Sequence, residues 1–300
     1  MHPPAPYRLV RLNRETHSVH YERYGETLHP VAGPAAEAEA LYVRQLDLRA
    51  RATAAARPFP AVREATDGHP DPEFVIWDVG LGAGGNALTV LRRLDDIPAS
   101  LRLVSFDETA APLRFALDHR AELGYLAGFE STVARLLERE RHEFTVGALR
   151  VFWTLHLGDF PARVAQGRQD DTPAPHAILF DPFSPAKNPG MWTRRTLTNL
   201  ARALDPRRPC ALATYSRSTL VRTTLLLAGL FVGTGDALPG KEETTVAAND
   251  PALIARPLDR RWLARARASR AAEPLAAAAY RQLPLTEATW RELQAHPQFR

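Results

Sequence analysis

The amino-acid sequence predicts a doubly wound α/β fold, and three observations carry that prediction. From residue 74 onward, short apolar runs alternate with helix-forming segments. The runs end in or near small, polar or acidic residues, as buried parallel strands do where their carboxyl ends face a ligand. The first run leads directly into a glycine-rich turn, DVGLGAGGN, from Asp78 to Asn86. A chain of 300 residues that is 45% hydrophobic and 24% charged can bury a full core and is not globally disordered.

The elements follow in order. Residues 7–31 hold the alternating runs YRLVRL and HSVHYERYG, a β-hairpin pattern. Alanine, glutamate and leucine from Ala35 to Ala56 favour a helix, and RPFPAVREATDGHPDPE after it reads as a connecting loop. FVIWDVG, LRLVSFD, LRVFWTLHLGD, HAILFDPF and CALATYS are the expected buried strands. GLFVGTGD and TTVAAND would close the sheet as a final pair. Two helices are expected beyond Pro251, around Arg260–Ala272 and Thr286–Ala295, with Pro274 stopping the first. The organisation is thus an N-terminal extension over 1–73, a main domain over 74–250 and a helical tail over 251–300.

Composition narrows the setting. The single cysteine, Cys210, excludes an intramolecular disulfide framework and suits a reducing compartment. MHPPAPYRLVRL lacks the apolar core of a signal peptide, and the longest apolar stretch, Leu225–Gly235, is too short to span a bilayer. A cytoplasmic protein without membrane contact or an obligate protein partner is expected, monomeric or weakly associating. The net charge of +4 leans toward a polyanionic partner such as RNA.

The glycine turn is the most informative local motif. Gly80, Gly82 and Gly84 let the chain reverse sharply and approach a ligand, while Leu88, Leu91 and Leu94 give the next helix an apolar face. GLGAGG also fits the dinucleotide pattern GxGxxG, a weak signal alone. Asp78 shifts the reading. A carboxylate two residues before the first glycine suits the positively charged methionine end of S-adenosylmethionine, whereas a nicotinamide pyrophosphate gains nothing from it. Asp107, ending LRLVSFD, can accept hydrogen bonds from both ribose hydroxyls; Glu108 is its neighbouring rival. Asp159, after Gly158 in HLGD, can accept from an adenine amino group, although strand-end aspartates commonly cap helices. With Asn86 and Gly158 these residues form the expected cofactor set, and no metal is expected. The fold expectation sharpens to a class I S-adenosylmethionine-dependent methyltransferase. That is a Rossmann-like, mostly parallel seven-stranded sheet with a final antiparallel strand and an N-terminal hairpin and helix extension.

The fourth main strand ends in DPFSPAKNPGMW, Asp181–Trp192, whose prolines exclude a regular helix and make a shaped loop. Asp181-Pro182-Phe183 resembles the acidic–Pro–aromatic loops of amino-group methyltransferases. There a side-chain oxygen and a backbone carbonyl accept hydrogen bonds from the target nitrogen and aim its lone pair. Asp181 can also take the proton of an aliphatic amine, which is charged at neutral pH. The alternative makes Asp181 a cap and Phe183 a core residue. Lys187 either reaches a phosphate or carboxylate or is a solvated loop cation. Pro182 and Asn188 complete the candidate substrate contacts, and Trp192 packs beneath the loop.

These motifs resemble the methyltransferase domain of the bifunctional tRNA 5-methylaminomethyl-2-thiouridine biosynthesis proteins, the MnmC-like family, especially its stand-alone forms. Asp181–Trp192 matches that family's D-x-F-[SA]-P-x-K-N-P-x-x-W loop. DVGLGAGGN, SFD (Ser105–Asp107), LGD (Leu157–Asp159), CALATYSRSTLVRTTLLLAGLFV and GKEETTVA support the match, as does YGETLHPVAGPAAEAEALYV with Glu39 at the family's glutamate. The resemblance implies S-adenosylmethionine-dependent N-methylation of the aminomethyl group on wobble (2-thio)uridine in tRNA, with Asp181 as the catalytic contact. A stand-alone form without the FAD oxidase half is expected, for which the precursor would come from other enzymes. Asp107 stands at the family's usual glutamate, and GTGDALPGKEE is acidic where the family is basic.

Arg194, Arg195, Arg207, Arg208, Arg217 and Arg222 are expected near the ligand edge, placed to neutralise phosphates. Arg256, Arg260, Arg261, Arg265, Arg267 and Arg270 spread around a helix at roughly 100° per residue and read as a solvated face. Two alternatives stand beside the tRNA reading. One is a methyltransferase of a small amine or another base. The other is a non-catalytic RNA-binding protein on a degenerate methyltransferase fold.

Overall fold

Strands buried on both faces need continuous apolar sequence, and the seven expected runs all form strands in the computed structural model. It describes residues 6–13, 16–56, 73–238 and 242–300, arranged as two compact units, 1–158 and 159–300. Nearly all of the expected connecting loop, residues 57–72, lies outside the described residues, as do residues 1–5 and Lys241.

The first unit opens with β1 (Tyr7–Arg11), β2 (His17–Tyr21) and β3 (Glu26–Thr27), an antiparallel sheet built on the expected hairpin. The helix expected over Ala35–Ala56 is broken into α1 (Pro34–Ala38), a π-helical turn at Glu39–Arg44 and α2 (Leu48–Ala56). Composition favours helix throughout, but Asp47 sits at φ 48°, a left-handed angle no right-handed helix passes through. Then follow β4 (Glu73–Val79), α3 (Gly85–Leu94), β5 (Ser100–Asp107), α4 (Ala111–Asp118), α5 (Arg120–Leu123), α6 (Glu130–Arg139), β6 (Arg141–Val146) and β7 (Leu149–Leu157). β4, β5 and β7 pair in parallel in that order, and β6 lies antiparallel on β7. β6 is the strand the sequence did not announce. RHEFTV has no apolar run because it lies at an edge, alternating exposed and half-buried positions.

The second unit holds α7 (Phe160–Ala165), β8 (Ala177–Phe180), α8 (Arg194–Ala203), β9 (Ala211–Thr214), α9 (Thr219–Leu227), β10 (Phe231–Gly235), β11 (Thr244–Ala248), α10 (Arg260–Ala268) and α11 (Glu287–Gln294). β8 and β9 are parallel, and β11 runs antiparallel between β9 and β10, the closing pair expected. α10 ends at Ala268, short of the expected Ala272 and well before Pro274. The backbone N–H groups of Ala272 and Glu273 both donate to the Leu283 carbonyl, at 2.9 and 3.0 Å, and this long-range pairing overrides local helix propensity. The tail is bonded into its unit through Gln298, whose side chain accepts from Val232 N and donates to the Val232 and Leu258 carbonyls. Among the described residues no helix is long and apolar enough to cross a membrane.

Candidate active site

In the first unit the chain leaves β4 through the glycine turn. Gly80, Gly82 and Gly84 have φ of 94°, 53° and 82°. Gly84 is the N-cap of α3, and Leu88, Leu91 and Leu94 are all buried along that helix. Backbone N–H groups of Gly80 and Leu81 donate to the Phe106 carbonyl, and the Tyr125 hydroxyl donates to Ala83 O at 2.8 Å. Tyr125 is a buttress that the sequence reading missed, since nothing in GYLAG singles it out. A Cβ on Gly84 would also stand 2.9 Å from Leu113 Cδ1, the movable end of a side chain. Gly84→Ala should therefore cost mainly backbone strain, about 1–2 kcal/mol. Denaturant unfolding checks this; a loss under roughly 0.5 kcal/mol would mean that the turn relaxes freely.

Asp78 is fully buried at the end of β4. Parallel pairing puts it opposite Ser105, whose hydroxyl donates to Asp78 Oδ2 at 2.9 Å and accepts the Trp153 indole N–H at 2.9 Å. The chain Trp153–Ser105–Asp78 fixes the carboxylate's orientation. Ser105 was legible in principle, being two residues before Asp107 on the same strand face. Asn86 is likewise buried, in the first turn of α3.

Asp107 and Glu108 divide their roles. Asp107 Oδ2 accepts the Gly82 N–H at 2.8 Å and Oδ1 the Thr109 N–H at 3.2 Å, so this carboxylate is tied to the glycine turn. Burial raises its pKa, and the backbone N–H groups offset only part of the rise. Glu108 points away, accepting from Arg23 Nη1 and the Tyr24 hydroxyl, each at 2.9 Å. Partial burial pushes its pKa up, but these two partners outweigh it and hold the carboxyl below its usual range. Tyr24 is pushed up to about 12, by burial first and Glu108 second. The N-terminal extension also packs on the glycine turn: Leu28 approaches Gly82, and Pro34 and His29 approach Gly85.

Gly158, at φ 127°, donates its N–H to the Asp107 carbonyl at 2.9 Å. Asp159 opens the second unit as the N-cap of α7, its Oδ1 accepting from Ala162 N at 3.2 Å. The capping alternative thus describes what Asp159 does here; a capping carboxylate keeps a second oxygen for other donors.

The loop after β8 is irregular, as its prolines require. Lys187 N and Asn188 N both donate to Ser184 O, at 2.9 and 2.8 Å, and a 3-10 turn covers Pro189–Trp192. Trp192 is buried edge-on against Phe180, with ring centroids 5.2 Å apart, and its indole donates to Phe183 O at 2.8 Å. This anchor holds Asp181, Pro182 and Phe183 at half-buried positions, with Lys187 exposed. Phe183 is therefore not a core residue. The helix that follows is capped by Thr193 rather than by Asp181.

The arginines sort differently from expectation. Arg222 is buried, bonded to Glu243, Thr245 Oγ1 and the Thr244 carbonyl, and is no phosphate ligand. Arg194, Arg207, Arg217, Arg256 and Arg267 pair with Glu292, Asp205, Glu242, Asp236 and Glu287. Arg208 donates to the Ala174 carbonyl.

Comparison with known proteins adds three findings. A family model described as S-adenosyl-L-methionine-dependent methyltransferase matches residues 126–250. The tRNA 5-methylaminomethyl-2-thiouridine biosynthesis bifunctional protein MnmC of Methylibium petroleiphilum is 30% identical over 254 residues, which are 83% of this chain and 36% of that protein. The chain thus spans about a third of the length of that curated relative. The crystal structure of MnmC2 from Aquifex aeolicus is similar at a TM-score of 0.66 and 21% identity, over 97% of this chain and 85% of that one, a likeness of fold. Residues 126–250 thus match the S-adenosylmethionine-dependent methyltransferases, and S-adenosylmethionine is the cofactor that this match implies. Within that class it is related to the MnmC proteins. The donor set fits the cofactor: the sulfonium and ammonium call for buried carboxylate, and the ribose diol for an acceptor pair beside a glycine turn.

Proposed function

We propose that this chain N-methylates the 5-aminomethyl group of a wobble (2-thio)uridine in tRNA, in the cytoplasm and without a required protein partner. The observation carrying this reading is the Asp181–Trp192 loop, a prolyl turn anchored by Trp192 that leaves an acidic–Pro–aromatic triplet half-exposed. Residues 74–250 would be the catalytic domain, flanked by the extensions 1–73 and 251–300. Asp78, Gly80, Gly82, Gly84 and Asn86 would hold the methionine end of the cofactor, Asp107 its ribose, and Gly158 and Asp159 its adenine. Bound there, S-adenosylmethionine supplies an electrophilic methyl group. Asp181 accepts the hydrogen bond of the substrate amine, takes its proton and orients the nitrogen lone pair. Pro182, Phe183, Lys187 and Asn188 shape the substrate's surroundings.

The test is methyl transfer from labelled S-adenosylmethionine to tRNA from a cell blocked at the aminomethyl stage, followed by nucleoside analysis. Label in 5-methylaminomethyl-uridine or its thiolated form is expected. Cofactor binding without a labelled nucleoside would shift the assignment to a small amine. The neutralisation of Arg194, Arg217 and Arg256 by carboxylates is what favours that second reading.

Asp107→Ala should weaken S-adenosylmethionine binding at least about ten-fold, since it removes hydrogen bonds to a charged acceptor. Affinity should also fall as pH drops through the raised Asp107 pKa, because the neutral carboxyl accepts less well. The sign is opposite for the cofactor-free fold. There Asp107 contributes stability below the ordinary carboxylate pKa, about 4, and loses that contribution as pH rises through its raised value. Calorimetric titration of the wild-type chain and Asp107→Ala across pH checks the binding expectations. A pH-dependent loss that persists unchanged in Asp107→Ala would assign it to another group.

A further inference from the structure

Residues 276–284, AAAAYRQLP, are all exposed, yet both ends of this segment are fixed. Leu275 is buried and bridges Thr193, and its carbonyl accepts the Arg194 N–H at 3.0 Å. On the far side the Leu283 carbonyl takes two N–H groups, and Leu285 is buried. Glu273, beside the base, accepts from Thr286 N at 2.9 Å and Thr289 Oγ1 at 2.6 Å, tying the base to the start of α11. The result is a tongue held at its root, with its tip in solvent.

The tip carries specific chemistry. Tyr280 and Leu283 are 40% and 49% exposed, two of the few large apolar side chains so placed among the described residues. Gln282 Nε2 donates to the Tyr280 hydroxyl at 2.8 Å, steadying the phenol beside Arg281. Along its inbound limb the tongue meets the Asp181–Trp192 loop: a side-chain carbon built on Gly190 would stand 3.7 Å from the Ala278 methyl. Charge is also one-sided here. Glu273, Glu287 and Glu292 are engaged with Thr289, Arg267 and Arg194. Lys187, Arg195, Arg270 and Arg281 have no ion-pair partner among the described residues, and all four are exposed.

We infer that this tongue is an RNA-contacting element, on which Tyr280 stacks against an unpaired base and Arg281, with Lys187 and Arg195, meets the flanking phosphates. An exposed ring on a pre-fixed loop is a sequence-tolerant stacking platform, and unpaired cations around it match a polyanion rather than an acidic or apolar protein face. This rests on the tRNA reading and deepens it, assigning the substrate grip to the tail rather than to the arginines that are already paired.

The experiment measures binding of the full chain to a fluorescently labelled tRNA by anisotropy over a salt series. Tyr280→Ala should raise Kd about ten-fold, within the range for losing one stacked base, while Tyr280→Trp keeps wild-type affinity. Arg281→Ala should lower the slope of log affinity against log salt by about one. S-adenosylmethionine affinity, read on the same samples, should not move in any variant, which separates loss of contact from misfolding. Wild-type tRNA affinity in both alanine variants would overturn the inference while leaving the tRNA reading standing. A wild-type chain that binds no tRNA would remove both.

Discussion

Asp181→Ala is expected to lower methyl transfer by about 10²- to 10⁴-fold, the range over which a positioned proton acceptor contributes. Cofactor affinity should meanwhile stay within a few-fold. The separation follows from where the residue sits. Asp181 begins the prolyl loop after β8, whereas the turn and strand-end acids of the first unit hold their own geometry through Gly82, Ser105 and Trp153. Asp181→Asn refines the experiment, because an amide keeps a hydrogen-bond acceptor and loses the base. Activity in the asparagine variant well above that of alanine would assign Asp181 mainly to orientation; equal loss in both would assign it to proton removal. Collapse of cofactor binding in either would move Asp181 out of the substrate's surroundings and into the cofactor's.

The second large effect is on stability. Arg222→Ala should cost about 3–5 kcal/mol, the usual result of breaking a buried charged network by removing one member. Arg222 is only 2% exposed, and its guanidinium reaches Glu243 Oε1 at 2.9 Å, Thr245 Oγ1 at 3.0 Å and the Thr244 carbonyl at 2.8 Å. It thereby clamps α9 to β11, the antiparallel strand inserted between β9 and β10. Burial lowers its pKa, and Glu243 acts against that shift, so its charge is held by a neighbour rather than by water. Equilibrium unfolding in urea reads the loss. A change below about 1 kcal/mol, within the range of an exposed pair, would show that water replaces the arginine.

The parts of the fold that local chemistry dictates were legible: the buried strands as apolar runs, the turn as DVGLGAGGN, and the closing antiparallel pair. What could not be read depends on contacts between distant residues. β6 carries no apolar signal because an edge strand has only one neighbour, here β7. α10 stops four residues early because the chain turns extended at Ser269 and the N–H groups of Ala272 and Glu273 bond instead to Leu283. At the site, the acids at strand ends could be named from spacing, but not their division of labour. That Glu108 turns toward Arg23 and Tyr24 while Asp107 turns toward Gly82 depends on the N-terminal hairpin, more than eighty residues earlier. Arg222 misled for the reverse reason, since a cation in the first turn of a helix at the ligand edge reads as a phosphate contact until its buried partners are known.

The packing of the N-terminal extension against the glycine turn bears on which substitutions it can accept. Gly84 resists a side chain mainly through its own backbone angle, with the movable Leu113 methyl a lesser obstacle. Gly85 has no such constraint; a Cβ there is blocked by Pro34 Cβ at 2.6 Å. Two adjacent glycines are thus held for unrelated reasons. A side chain at Gly85 therefore needs glycine at position 34 or a shift of the backbone there, since every other residue keeps the blocking Cβ, whereas at Gly84 the cost is set mainly by the backbone angle.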